Sequence, residues 1–286
     1  MCKYKPKLYI LNRRTNSIFY KTNEEIELIR QSSLMVGKTH AEVAKIMRPG
    51  VKTIELDRLA ETFIRDHGGV PSFKNYKVGN DSFPFTLCMS INEAVVHGMP
   101  SNYELKPGDV VSIDCGVFMN GFHGDSAYTY GIGEIDEHTK MLLIATKEAL
   151  YKGIEQAVEG RRVGDIGFAI QQHAEKKYGY GIVRELVGHG VGRSLHELPE
   201  VPNFGRRGRG TKLKEGMVIA IEPMINQGRK EVERLDDGWT IVTSDRKMSA
   251  HYEHTVAVRK KNADILSTFE YIEEVVRNNA DLVDFS

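Results

Sequence analysis

The sequence predicts an α+β domain made of two similar halves packed about a pseudo-twofold axis. Three observations carry that expectation. Helical periodicity and short apolar strand runs come in the same order twice. Residues 105–114 (LKPGDVVSID) are echoed 108 positions later by residues 213–222 (LKEGMVIAIE), with five identities and a carboxylate closing each run. Upstream of the two runs, Gly50, Leu56, Ala60 and Gly69 correspond to Gly160, Ile166, Ile170 and Gly179, each pair 110 apart. A period this long is not that of a solenoid. The halves are therefore expected to share one sheet within one domain, without a linker.

The elements follow in order. Thr22-Asn23-Glu24-Glu25 reads as a capping box opening a helix whose apolar face begins with Ile26, Ile29 and Leu34. A second helix is expected over 53–67, where Leu56, Leu59, Ala60 and Phe63 recur at helical spacing and Gly68-Gly69 stops the run. Two more are expected over 137–158 and 164–178. Strand-like runs lie at 87–91, 110–114, 127–132, 217–221, 240–243 and 255–258.

Composition narrows the function classes. Hydrophobic residues make up 41% and charged residues 27% of 286, so a sizeable core is available. Lys plus Arg and Asp plus Glu are 39 each, so no global field favours DNA or a membrane surface. No apolar run approaches the roughly 18 residues that span a bilayer. Cys2, Cys88 and Cys115 are too scattered for a disulfide framework or a thiolate zinc site, and a reducing cytoplasm is expected. Residues 1–20 are expected to be a basic N-terminal extension, disordered or loosely docked, with a transit peptide as the competing reading. The catalytic domain is expected to fill 21–286.

Chemistry concentrates in acids and histidines. Asp114 and Glu222 each end an apolar run, where a carboxylate is costly unless neutralised. If the duplication brings the two strand ends together, a divalent cation would remove their repulsion; two solvated strand-end acids are the competing reading. Asp125 follows Asp114 by 11 residues, a spacing that fits a hairpin. Glu253 precedes another strand, and His189 sits among Gly188, Gly190 and Gly192, which permit close backbone approach. One histidine and four carboxylates suit hard or borderline divalent ions better than structural zinc. No GxSxG elbow is present, and Cys88 and Cys115 lie in apolar runs as packing residues.

The motifs SINEAVVHG (90–98), NGFHGD (120–125), GHGVGR (188–193), HELP (196–199), IEPM (221–224), DGWT (237–240) and YEHT (252–255) occur in this order. Together they resemble the type I methionine aminopeptidases, from about residue 21 to about residue 268. The resemblance implies a pita-bread fold around a mainly antiparallel sheet. It implies two divalent ions (cobalt, manganese, iron or zinc) on Asp114, Asp125, His189, Glu222 and Glu253, with Asp125 and Glu253 bridging.

The implied reaction removes an initiator methionine followed by a small residue, a water activated by the two ions attacking the methionyl carbonyl. Glu222 is the implied proton shuttle, and His97 and His196 are the implied substrate contacts. Cys88, Trp239 and Tyr76 are expected in the methionine pocket, together with Leu195, where relatives often carry an aromatic residue. Extra residues around 77–82 lie beside that pocket. Asn92, Ala94 and Ser249 match a site for a monovalent cation, sodium or potassium.

The implied partners are nascent polypeptide N-termini, and the implied state is a monomer. Residues 205–210 (GRRGRG) read as a basic, flexible loop, solvated or touching the ribosome. Two other readings share the fold: a proline-specific aminopeptidase or prolidase, whose known members usually add an N-terminal domain, and a non-catalytic binding module, whose known members lose ligands.

Overall fold

Thr22 starts the first helix as its sequence dictates. In the computed structural model, which describes residues 17–285, the Thr22 hydroxyl accepts the Glu25 N–H. The Glu25 carboxylate accepts the Thr22 N–H in return. Helix α1 (Asn23–Ile46) then buries Ile26, Ile29, Val36, Val43 and Ala44 along one face. Helix α2 (Thr53–Asp66) buries Leu56, Ala60 and Ile64. The second half repeats the pair with α3 (Glu137–Ile154) and α4 (Val163–Gln171), the latter widening into a π-helical turn, Gln172–Lys177. A last helix, α5 (Glu270–Asn278), packs on α1. Of the expected basic extension, residues 1–16 lie outside the described residues.

Each half has a central strand flanked on both sides by antiparallel partners. Val110–Met119 pairs with Leu87–Ile91 and with Phe122–Gly131. Val218–Ile221 pairs with Gly188–Gly190 and with His254–Ala257. The turns leading to the central strands match bond for bond. Gly50 N–H donates to the Leu105 carbonyl at 2.8 Å and Leu105 N–H to Val51 at 2.9 Å. Gly160 N–H donates to Leu213 at 3.0 Å and Leu213 N–H to Arg161 at 2.8 Å. Gly108 and Gly216 stand at φ +93° and +87°, a conformation only glycine adopts without strain. The echo is therefore structural as well as sequential. One pairing shifts: the helix-ending left-handed residues are Gly68 and Gly179, so Gly68 rather than Gly69 is the counterpart.

The halves meet along a seam rather than through one unbroken ladder. The hydrogen-bonded strands divide into separate antiparallel sheets. Glu253 N–H reaches the Ala127 carbonyl at 2.9 Å. Side-chain hydroxyls add further crossings: Ser126 donates to the Glu253 carbonyl, Thr129 to His251 and Thr255 to Asp125, and the short strand Ala94–Val96 pairs with Ile241–Thr243 of the other half. The main core, with Ile113, Cys115, Leu142, Ile166, Ile219 and Ile221, runs under both halves. Burying side chains of this size contributes about 1.5–3 kcal/mol each.

Candidate metal centre

The acids of the first half come from one hairpin. Asp114 lies in the middle of the ten-residue strand Val110–Met119, not at its end as its sequence context suggests. The apolar run is interrupted at Asp114: Ile113, Cys115 and Val117 stay in the main core while Asp114 lines a cavity. Asp114 faces Ala127 and Asp125 faces Gly116 across the ladder. The spacing of 11 thus puts both carboxylates on one face, diagonal to each other. They lie in direct electrostatic contact.

The second half supplies the other groups. Ile221 is opposite His254, so Glu222 and Glu253 leave the paired end of their two strands together. His189 stands on a short strand, Gly188–Gly190, rather than in a loop. Its glycine neighbours are needed for packing. A Cβ on Gly188 would lie 2.4 Å from the Ala220 carbonyl oxygen, and one on Gly190 would lie 2.4 Å from that of Leu198. His189 Nδ1–H donates to the Gly190 carbonyl at 3.0 Å, which leaves Nε2 for the acids.

All five groups converge. Ligand atoms of Asp125, His189 and Glu253 lie within 4.8 Å of one another. His189 Nε2 is 3.5 Å from Glu222 Oε1 and 3.9 Å from Asp125 Oδ2. Asp125 and Glu253 are buried, while Asp114 and Glu222 open slightly on the cavity. Enclosure drives all four carboxyls upward. Asp114 is pushed up to about 7 and Glu222 to about 7, while Asp125 and Glu253 rise well above the carboxylate range. Mutual repulsion adds to burial for Asp114, Asp125 and Glu253. Among the described residues, Asp114 Oδ1, Asp125 Oδ1 and Glu253 Oε1 are buried with no hydrogen-bond partner. Oxygen-rich donors with unsatisfied atoms and one imidazole fit divalent cations.

A cavity of about 140 Å³ adjoins these groups. It is lined by His97, His196, Tyr76, Cys88, Leu195 and Trp239. Phe83, which stacks edge-on against Trp239 at 5.3 Å, and Phe73 complete the apolar wall; the sequence reading did not single them out. His196 shares a 2.6 Å hydrogen bond with the Tyr76 hydroxyl through Nδ1, and its ring centroid is 4.3 Å from that of His189. Burial pushes His196 well below its usual range and His97 down to about 4, so both are neutral imidazoles at pH 7. The residues around 77–82 form a small hairpin, Lys77–Val78 with Asp81–Ser82, and Val78 reaches the cavity.

His251 was missed. It lines the cavity and places Nε2 3.6 Å from Glu222 Oε2. Its position two residues before Glu253 was the available signal.

Two peripheral expectations meet their geometry. Ser249 N–H donates to the Asn92 carbonyl at 2.9 Å, and the strand carrying Ala94 packs beside the Ser249 strand, so the expected monovalent-cation residues are neighbours. Asn92 Oδ1 is already taken by Val110 N–H. The 205–210 loop is exposed but not loose, contrary to its glycine content. Asp165 at the start of α4 accepts Gly208 N–H, Gly164 N–H donates to Arg209, and Arg207 covers the Phe168 ring.

Residues 27–260 match metallopeptidase family M24. A protein of Clostridium perfringens (strain 13 / Type A) named methionine aminopeptidase is 52% identical over 250 residues, spanning 87% of this chain and 98% of its own. The crystal structure of methionine aminopeptidase from Rickettsia prowazekii superposes with a TM-score of 0.85 at 39% identity, over 88% of this chain and 100% of that one. The prolidase from Pyrococcus horikoshii OT3 reaches a TM-score of 0.71 at 23% identity, with 64% of that chain covered; at that distance the likeness extends to the fold alone.

Proposed function

This chain belongs to metallopeptidase family M24, among its methionine aminopeptidases, and on that premise we propose that it removes the initiator methionine from nascent polypeptides whose second residue is small. Its two-half α+β architecture is the pita-bread fold implied by the motifs. The observation that carries the reading is the convergence of Asp114, Asp125, His189, Glu222 and Glu253 beside an apolar cavity of side-chain size.

Asp114, Asp125, His189, Glu222 and Glu253 would hold two divalent cations of the cobalt, manganese, iron or zinc kind. When bound, they would supply Lewis-acid activation of a water and of the scissile carbonyl. Glu222 is placed to move a proton to the leaving nitrogen. When the Tyr76 hydroxyl donates to His196 Nδ1, the imidazole keeps its proton on Nε2 and donates it toward the developing oxyanion. His97 holds the adjacent peptide group. Phe83, Cys88, Leu195 and Trp239 enclose the methionine side chain and keep bulk water from it. Asn92, Ala94 and Ser249 offer oxygens to sodium or potassium.

Residues 21–286 make up the catalytic unit and 1–20 a basic extension. Among the described residues no helix is long and apolar enough to cross a membrane. A cytoplasmic monomer that visits the ribosome, with Arg206, Arg207 and Arg209 as a pinned basic surface, fits this substrate.

The test is release of methionine from Met-Ala-Ser by metal-loaded protein, with a chelator arm and an X-Pro peptide arm. Chelator-sensitive cleavage of Met-Ala-Ser with X-Pro left intact is expected. Preference for X-Pro would move the chain to the proline-specific branch, and an inert loaded protein would support the non-catalytic reading.

A further inference from the structure

Glu222 lies between two histidines, and only His189 belongs to the ligand set above. Glu222 Oε1 faces His189 Nε2 at 3.5 Å, and Oε2 faces His251 Nε2 at 3.6 Å. His251 is 2% exposed, and its Nε2 has no hydrogen-bond partner among the described residues. Among the described residues Glu222 is the one carboxylate within 4 Å of that nitrogen.

The backbone fixes the imidazole in place. His251 N–H donates to Thr129 Oγ1 at 3.0 Å, and that hydroxyl donates back to the His251 carbonyl at 2.6 Å. His251 is also in register with Met224 on the strand after Glu222. A buried imidazole anchored at its own backbone, with one nitrogen unsatisfied and aimed at a carboxylate, is a built feature. Resting on the assignment of Glu222 as ligand and proton carrier, we propose that His251 is a positioning residue. A small shift that closes the 3.6 Å gap lets its Nε2–H hold the outer oxygen of Glu222 and keep Oε1 turned toward His189. A carboxylate with both oxygens constrained presents one lone pair to a cation and one route to a proton.

Two polar variants test this in the full chain. His251→Gln keeps an N–H donor at the reach of Nε2, whereas His251→Asn is too short. Folding is checked by near-UV circular dichroism. kcat and KM are measured on Met-Ala-Ser, and Mn²⁺ affinity is measured by calorimetric titration of metal-stripped protein. His251→Asn is expected to lose about 10-fold or more in kcat, with KM within about twofold, and about 10-fold in Mn²⁺ affinity. His251→Gln is expected to recover most of both. Folded His251→Asn with unaltered kcat and affinity overturns the proposal. Equal impairment of the two variants also overturns it, because that marks a packing role. If the parent protein released no methionine, the functional reading would fail on its own, and the titration would still decide the role of His251.

Discussion

Replacing Asp114 with asparagine should stabilise the metal-stripped protein at neutral pH. Enclosure moves the Asp114 carboxyl from 3.8 to about 7, with the neighbouring Glu222 charge adding to the effect. At about 1.4 kcal/mol per pKa unit, ionised Asp114 destabilises the fold by up to about 4 kcal/mol. The sign follows from proton binding. The folded carboxyl binds its proton more tightly than the unfolded one, so its stabilising contribution is full below pH 3.8. That contribution is lost as pH rises through about 7. The asparagine amide keeps the shape and never ionises. The two proteins should therefore have similar stability near pH 4, and the variant should gain steadily on its parent up to about pH 7.

Urea denaturation in chelator across this range measures the difference directly. Comparing variant with parent cancels the opposite slope of the buried histidines, such as His40, which burial holds down at about 4. Adding Mn²⁺ should reverse the order, because only the parent keeps the full donor set. A variant less stable than its parent at pH 7.5 without metal, or a gap that ignores pH, would refute the account of a charge cluster built for cations.

Other perturbations probe the support around the centre. Tyr76→Phe removes the 2.6 Å partner of His196 Nδ1 and should lower kcat severalfold, in line with about 0.5–1.5 kcal/mol for one hydrogen bond; unchanged steady-state kinetics would separate Tyr76 from His196. Lys21 and Glu197 form a 2.6 Å ion pair with side chains only 4% and 6% exposed, beside the His196 segment. Lys21→Met should cost about 3–5 kcal/mol by leaving Glu197 unpaired, and adding Glu197→Gln should restore most of it. Denaturation midpoints of the two single variants and the double variant decide the matter, and strictly additive losses would show that the pair is not coupled.

What the sequence made legible was whatever a local pattern encodes. The capping box at Thr22, the duplicated turns at Gly108 and Gly216, and the Asp114–Asp125 hairpin spacing each follow from a few neighbouring residues, and each appears in the fold. The five candidate ligands stood out because acids and a histidine interrupt apolar or glycine-rich runs.

What stayed hidden depends on contacts between distant segments. Lys21 and Glu197 are 176 residues apart, and nothing near either signals burial. His251 acquires its meaning only from Glu222 across the strand pairing. The 205–210 loop looks free by composition, yet it is held down because α4 presents glycines. A Cβ on Gly164 would lie 2.5 Å from the Arg206 carbonyl oxygen, and one on Gly167 would lie 2.4 Å from that of Phe204. Asp114 looked like a strand end because an acid interrupts the apolar run there, although Cys115 and Val117 continue the core and the strand runs on to Met119.

The seam between the halves has one more consequence. Two aspartates stand on one side of it, and a histidine and two glutamates stand on the other. A chain cleaved in the link at 132–136 therefore gives two fragments, each with an incomplete set of donors. Peptide hydrolysis then becomes a reporter of fragment reunion, absent from either piece and restored only when the two dock.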